Sequence, residues 1–355
     1  MMCDLCLCGS GNKYADCCER KPNPFETEKT QKKLVAELMK LRSNYKKMCL
    51  YPNCSNKGIN AHTISQKAVL SLIADNDHVL MPIVKVGQPV DLIPQGIEKQ
   101  ASTYFCFCST HDDKFSCIDV VSPKLSDHIK FMYAYRAFAS TYYKVQRELF
   151  CLENQFSKYN MTQNIRCVLM LHELRNNMLA LEGCKSLFDN AVTSENYSVI
   201  NSEVVSLDYK VYLSAAACFC PAFDLYGSEI SYKQNKLPML YLSIIPGTSK
   251  TDLIFSWLKN DNEIYENFAK QLSIAPRRFV LKYLNNLLPL YCENITIGPK
   301  LWNKWDSVAQ NDFRTIIDWG LTRETKISSS QLSETHKYNL FLKIDDEKKS
   351  IINAK

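Results

Sequence analysis

The sequence predicts an α+β protein with two small cysteine-rich modules at the N-terminal end, a helical middle segment and a C-terminal sheet-plus-helix domain. Three observations carry this. Ten of the 16 cysteines fall before residue 118, in two clusters. Between about residues 126 and 190 apolar side chains recur at helical spacing. From about residue 200 the period shortens to two, the signature of half-buried strands.

Taken in order, residues 1–20 form the first module. The Lys-Pro-Asn-Pro-Phe of residues 21–25 is a stiff break, because each proline fixes φ and removes a backbone donor. Residues 26–47 read as a helix, with Leu34, Leu38 and Leu41 at helical spacing. Its charges suit a solvated connector or, alternatively, a basic face toward nucleic acid. Residues 48–122 hold the second cluster. In residues 123–195, Ser126 and Asp127 can cap a helix to about Asn154, and Phe131, Tyr135, Phe138 and Tyr142 line one face of it as core. A second helix covers about Ile165–Asn190.

Residues 196–326 form the α+β part. Val205, Leu207, Tyr209, Val211 and Leu213 alternate with polar residues and predict a strand, and Val211–Phe223 suits a buried one. Met239–Ile245 and Leu253–Trp257 flank Pro246-Gly247-Thr248 as strand, turn and strand. Asn260 or Asp261 can cap helices that run to about residue 290, with more helix around Trp302–Trp319. Residues 327–355 are a polar tail.

At 355 residues and 46% hydrophobic, the chain can bury more than one core. No stretch offers the roughly 20 continuous apolar residues of a membrane span. The first twenty residues lack the apolar centre of a signal peptide, so a cytoplasmic location is the expectation. Clustered cysteines without a secretion signal point to metal ligation rather than to disulfides. The net charge of +6 permits contact with a phosphate backbone without requiring it.

The first cluster reads Cys6-Leu7-Cys8-Gly9-Ser10-Gly11-Asn12-Lys13-Tyr14-Ala15-Asp16-Cys17-Cys18. Two thiolates flanking one residue, then two adjacent thiolates, can surround a single tetrahedral Zn²⁺. Gly9 and Gly11 allow a tight turn around it. So short a segment cannot fold by burying apolar surface, and the metal must supply the folding energy. Cys3 lies outside the pattern and is assigned no role. These residues resemble the SEC-C motif, the zinc-binding segment first named from the C-terminal tail of the bacterial SecA ATPase. The resemblance covers both cysteine pairs, the Gly-Ser-Gly and the Lys-Tyr, and implies zinc and a docking role toward a protein partner.

In the second cluster, Cys49 and Cys54 flank a four-residue knuckle, and Cys108 and His111 stand at a helix start. A knuckle pair and a helix-start pair are the layout of a treble-clef zinc site. Cys49, Cys54, Cys108 and His111 are the preferred ligands, with His62 in place of His111 as the alternative. The arrangement resembles the ββα-metal fold of HNH endonucleases. That resemblance implies His62 as general base and Asp112 as ligand of a catalytic Mg²⁺ or Mn²⁺. An imidazole that titrates near neutral pH and a hard carboxylate suit those tasks. The chain departs from the family at Ala61, where an acidic or histidine ligand is usual. It departs again at Ala101–Phe105, where an asparagine is usual. Asp75, Asn76, Asp77 or His78 could substitute.

Other motifs carry less. His172-Glu173 lacks the second histidine of a zincin helix, since Asn176 stands there. Cys218 and Cys220 read as buried thiols, and Asp113 and Asp119 as solvated positions beside Phe115. The sequons at Asn160, Asn196 and Asn294 carry no meaning in a cytoplasmic chain. Two small N-terminal zinc modules therefore lead to two expectations. One is a protein directed at DNA or RNA that hydrolyses phosphodiesters, with bacterial defence against phage as the setting by analogy. The other is a non-catalytic adaptor that docks a protein or small-molecule partner. Apart from these, a ligand-sensing or enzymatic pocket within residues 200–320 is a third expectation.

Overall fold

Antiparallel pairing organises the chain around one seven-stranded sheet. The structure, a computed structural model, describes residues 5–45, 48–83, 88–230, 237–322 and 327–344. Cys3 and the end of the polar tail lie outside these residues.

After the first module comes helix α1 (Glu28–Asn44). Its start is fixed by a capping box in which Thr27 and Thr30 bond each other's backbone amides. The second cluster contributes strands β1 (Ala61–His62), β2 (His78–Ile83), β3 (Asp91–Gly96) and β4 (Thr103–Tyr104), and short helices α2 (Ser71–Ile73) and α3 (Ser109–Asp112). Two long helices follow, α4 (Asp127–Lys158) and α5 (Ile165–Ser194). The expected cap of α4 is present, with Ser126 Oγ accepting from the Ile129 amide at 3.3 Å. Strands β5 (Ile200–Leu207), β6 (Leu213–Phe219), β7 (Leu240–Pro246) and β8 (Thr251–Leu258) precede helices α6 (Asn262–Ile274) and α7 (Arg277–Tyr291). Strand β9 (Ile295–Ile297) and helices α8 (Pro299–Trp302), α9 (Ser307–Thr322) and α10 (Ser329–Ser333) complete the order. Among the described residues no helix is long and apolar enough to cross a membrane.

Strands β1 and β4 make a small hairpin-like pair, and the large sheet runs β3-β2-β9-β6-β7-β8-β5. Its register sorts side chains by face. Leu242 pairs with Phe255 and Leu240 with Trp257, and on that face Phe255 meets Phe268 while Trp257 meets Tyr265, both from α6. Tyr241 points the opposite way and meets Phe138 of α4 and Phe188 of α5 at 6.4 and 5.2 Å between ring centres. Helices therefore cover both faces, and β6, β7 and β8 are buried at every position. Phe131, Tyr135, Phe138 and Tyr142 are all buried, the core stripe their spacing predicts.

Two readings need correction. The alternation from Val205 to Leu213 is not one strand: β5 ends at Leu207, and β6 starts at Leu213. Between them, Thr251 Oγ1 donates to the Tyr209 carbonyl at 2.9 Å and accepts from the Val211 amide at 3.0 Å, which fixes the bend. The second is organisational. β2 and β3, within residues 48–122, pair into the same sheet as the strands of 196–326, through Leu80 opposite Ile297. One core runs from Cys49 to Phe341, across those two segments, the helical segment between them and the described part of residues 327–355, which contributes Ile327, Leu332, Tyr338, Leu340 and Phe341.

Candidate metal centres

Each cysteine cluster converges on a point. In the first, the Sγ atoms of Cys6, Cys8, Cys17 and Cys18 all lie within 4.8 Å of one another. Cys8 to Cys17 is 3.6 Å and Cys17 to Cys18 is 3.9 Å. A tetrahedral zinc with sulfur at about 2.3 Å sets sulfur atoms about 3.8 Å apart, so these separations suit one ion. The turn that allows it uses Gly9 at φ 74° and Gly11 at φ 78°, where a side chain would be strained. Cys6 donates its amide to Asn12 O at 2.8 Å, which closes the loop.

This knuckle is seated on the α4–α5 hairpin. His172 Nε2 donates to Leu7 O at 2.8 Å, and Arg175 donates to Cys8 O at 2.7 Å. Asn160 and Gln163 donate to the Tyr14 hydroxyl at 3.0 and 3.1 Å. Beneath it Leu152, Phe156, Met161, Val168 and Leu171 form a separate small core with Cys6, Cys8 and Cys18. His172, set aside as a zincin ligand, thus anchors the knuckle by its carbonyl.

In the second cluster, Cys49, Cys54, Cys108 and His111 lie within the same 4.8 Å limit. Cys54 to Cys108 is 3.9 Å, and His111 Nδ1 is 3.4 Å from Cys49 and 3.3 Å from Cys108. Zinc with about 2.3 Å to sulfur and 2.0–2.1 Å to nitrogen requires roughly 3.5 Å between a sulfur and a nitrogen ligand. Here too the donors fit. Tyr51, from the knuckle, stacks on the His111 ring at 3.9 Å and 7°. Asn56 reaches Cys108 Sγ at 3.9 Å. His111, not His62, joins the three cysteines.

Burial and hydrogen bonding pull the proton affinities within each set apart. Burial raises the Cys8 thiol, but hydrogen bonds from Ser10, Cys6 and Cys17 outweigh it and bring it down to about 6. Burial pushes Cys18 well up, helped by Cys6 and Cys8. In the second set burial lifts Cys49 to about 12. Burial acts the same way on Cys108, but the His111 amide and neighbouring thiols outweigh it and bring it down. A thiol binds zinc as the thiolate, so burial that favours the neutral form at Cys18 and Cys49 is offset when a cation shares the site.

His62 and Asp112 sit beside the second set without belonging to it. His62 lies on β1 opposite Thr103 of β4, with Nε2 donating to Ile97 O at 2.7 Å, and burial lowers its proton affinity. Asp112 ends α3. Burial raises its carboxyl above the usual range, against the pull of Arg136. Arg136, buried on α4, holds Asp119 in a two-pronged ion pair at 2.7 and 3.2 Å and lies 3.6 Å from Asp112. Asp119 is therefore a paired residue rather than a solvating one. Among the described residues the two clusters above are the groups of three or more His, Cys, Asp or Glu that could hold a metal, and Asp112 joins neither. Asp75 to His78 form the exposed turn entering β2, where His78 Nδ1 donates to Asn76 O at 2.6 Å.

Arg136 was not singled out from the sequence, although a lone arginine inside the aromatic run 131–143 is a signal for a buried charge with a partner. Cys218 is buried on β6 and Cys220 is half-buried just past it.

No curated protein and no solved structure matches the chain. Comparison with protein-family profiles finds the SEC-C motif at residues 4–20, a span containing all four ligands of the first set. Residues 4–20 carry a SEC-C motif, and the two ligand sets fit a zinc-binding protein.

Proposed function

We propose that the chain is a zinc-ordered docking protein in which both metal sites fix binding surfaces and neither performs hydrolysis. The observation that carries this is ligand count. Each set supplies four protein donors, Cys₄ and Cys₃His, and a zinc with four protein ligands keeps no open position for water or substrate. Cys6, Cys8, Cys17 and Cys18 would hold the first ion, and Cys49, Cys54, Cys108 and His111 the second. Bound zinc supplies folding energy to both knuckles. The first module presents Leu5 and Leu7, both more than half exposed.

A second reading keeps His62 as general base and Asp112 as ligand of Mg²⁺ or Mn²⁺, in metal-dependent cleavage of DNA or RNA, with phage defence as its setting. In its favour, β1 carries His62, pairs with β4, and β4 leads into α3, the order of a ββα finger. Against it, the Arg136 guanidinium lies beside Asp112, where like charge disfavours a further cation.

The test is zinc-loaded protein incubated with single- and double-stranded DNA and RNA, with Mg²⁺ or Mn²⁺ added. The docking reading expects no cleavage by the wild type or by His62→Ala. Cleavage by the wild type that His62→Ala abolishes, with zinc content unchanged, would overturn it.

A further inference from the structure

The large sheet ends on one side at β5, whose eight residues pair with β8 in an unbroken register. Hydrogen-bond alternation fixes which of its main-chain groups face outward. At the β7–β8 turn Gly247 donates to the Lys250 carbonyl at 2.7 Å, which makes Ile245 and Asp252 the next hydrogen-bonded pair. Leu253, Phe255 and Trp257 therefore turn their main chain toward β5, to Val205, Glu203 and Asn201. Ser202, Val204 and Ser206 turn theirs away from the sheet. Arg277 from α7 donates to the Ser206 carbonyl, in agreement with that direction. The outward amides and carbonyls of Ser202 and Val204 have no partner among the described residues.

Sheet edges are usually guarded by proline, lysine, a bulge or a covering element. Strand β3, at the other edge, carries Pro94. Strand β5 has no proline, no lysine and no bulge. Beside it lies a groove of about 310 Å³, on the face that carries Asn201, Glu203 and Trp257, with Glu266, Lys270 and Ser273 of α6 as its helical wall. Asn201 bridges strand and helix at one end by donating to Asn262 Oδ1 at 2.6 Å. The charges of this groove do not balance. Lys270 pairs with Glu266 at 2.8 Å, whereas the half-buried Glu203 has no cationic partner among the described residues.

We propose that β5 accepts an extended segment of a partner protein as an eighth, antiparallel strand, with a lysine or arginine opposite Glu203. Main-chain bonds to Ser202 and Val204 supply affinity, and side chains that enter the groove supply choice. The residue opposite Glu203 belongs to a non-hydrogen-bonded pair, the closer kind, and its side chain shares the face of Glu203. Opposite charges so placed attract, and like charges repel. This surface is separate from both metal sets, so the proposal does not depend on what either of them does.

The experiment selects random heptapeptides displayed on phage against the zinc-loaded full chain, then titrates the enriched peptides by fluorescence anisotropy. Enriched peptides are expected to centre on lysine or arginine among β-branched residues and to bind with Kd below about 100 μM. Val204→Pro removes an outward donor that the fold does not use, so the chain still folds while binding falls at least about tenfold. Glu203→Lys should weaken the basic peptides several-fold and favour their glutamate-centred counterparts. Zinc content and urea midpoint establish that each variant is folded, and if Val204→Pro is not, the charge reversal at Glu203 decides alone. Failure to enrich, equal binding to wild type and folded Val204→Pro, or indifference to Glu203→Lys overturns the proposal. A dimer in sedimentation that Val204→Pro dissolves also overturns it, since a second copy would then hold the edge.

Discussion

Replacing Arg136 with methionine isolates the electrostatic arrangement next to the second metal set. The guanidinium is 6% exposed and faces two carboxylates, with Asp119 bidentate at 2.7 and 3.2 Å and Asp112 at 3.6 Å. Its plane also lies over the Phe115 ring, 4.8 Å from the centre. Methionine preserves much of the volume and removes the charge. Stranding a buried charge by deleting its partner costs about 3–5 kcal/mol. Asp119 retains 35% of its side-chain exposure and Asp112 25%, so water screens part of the loss, and about 3 kcal/mol is expected. The assay is equilibrium urea unfolding of zinc-loaded protein, read as a lower midpoint at constant slope. Adding Asp119→Asn to Arg136→Met should recover at least half of the loss, because one stranded charge is gone. The pH dependence has a definite sign. Burial already holds the folded Asp112 carboxyl above its unfolded value, and loss of the opposing arginine raises it further. The variant's deficit is therefore full at neutral pH and shrinks as pH falls through the folded value toward about 4. The difference from wild type at each pH removes the acid lability that both share at the metal sites. A loss under about 1 kcal/mol, or no recovery in the double variant, would refute the claim that Arg136 neutralises this carboxylate pair.

Three further outcomes follow from the same geometry. Arg175→Ala together with His172→Ala removes both hydrogen bonds to the knuckle carbonyls, and should speed zinc loss from the first set to a colorimetric chelator several-fold without altering the second. Unchanged release would mean the hairpin does not support the knuckle. Gly320→Ala places a Cβ 2.3 Å from the Pro289 carbonyl oxygen and 2.8 Å from Leu290 Cα, both backbone atoms of α7. The helices must separate, at a cost of about 1–3 kcal/mol in urea unfolding, and a neutral result would contradict the close α7–α9 packing. For His62, burial favours the neutral ring, so its folded proton affinity lies below the unfolded one and the stability it contributes is lost as pH falls below about 6.5. Its NMR titration midpoint should lie under 6.5, and a midpoint above that value would show that Asp112 and Asp119 outweigh burial.

Much of the metal chemistry was legible because ligand spacing is a local property. Cys6, Cys8, Cys17 and Cys18 sit in one turn, and Cys108 and His111 one helical step apart, so the chain brings each pair together whatever the rest does. The capped start of α4 and its aromatic stripe were legible for the same reason. Long-range facts were not. Strands β2 and β3 carry Pro82 and Pro94, which disguise strand character, and only the finished sheet shows that they pair with each other and that β2 joins β9. The bend after β5 depends on Thr251, more than forty residues away in sequence, so the alternating pattern ran straight through it. Arg136 is intelligible only once Asp112 and Asp119 are placed beside it.

Elemental analysis of protein purified without added chelator, paired with circular dichroism before and after metal removal, tests the central claim most directly. Two zinc ions per chain are predicted, with loss of both knuckles' structure on stripping and recovery on readdition. A chain that carries no zinc and keeps its N-terminal structure in strong chelator would contradict the account.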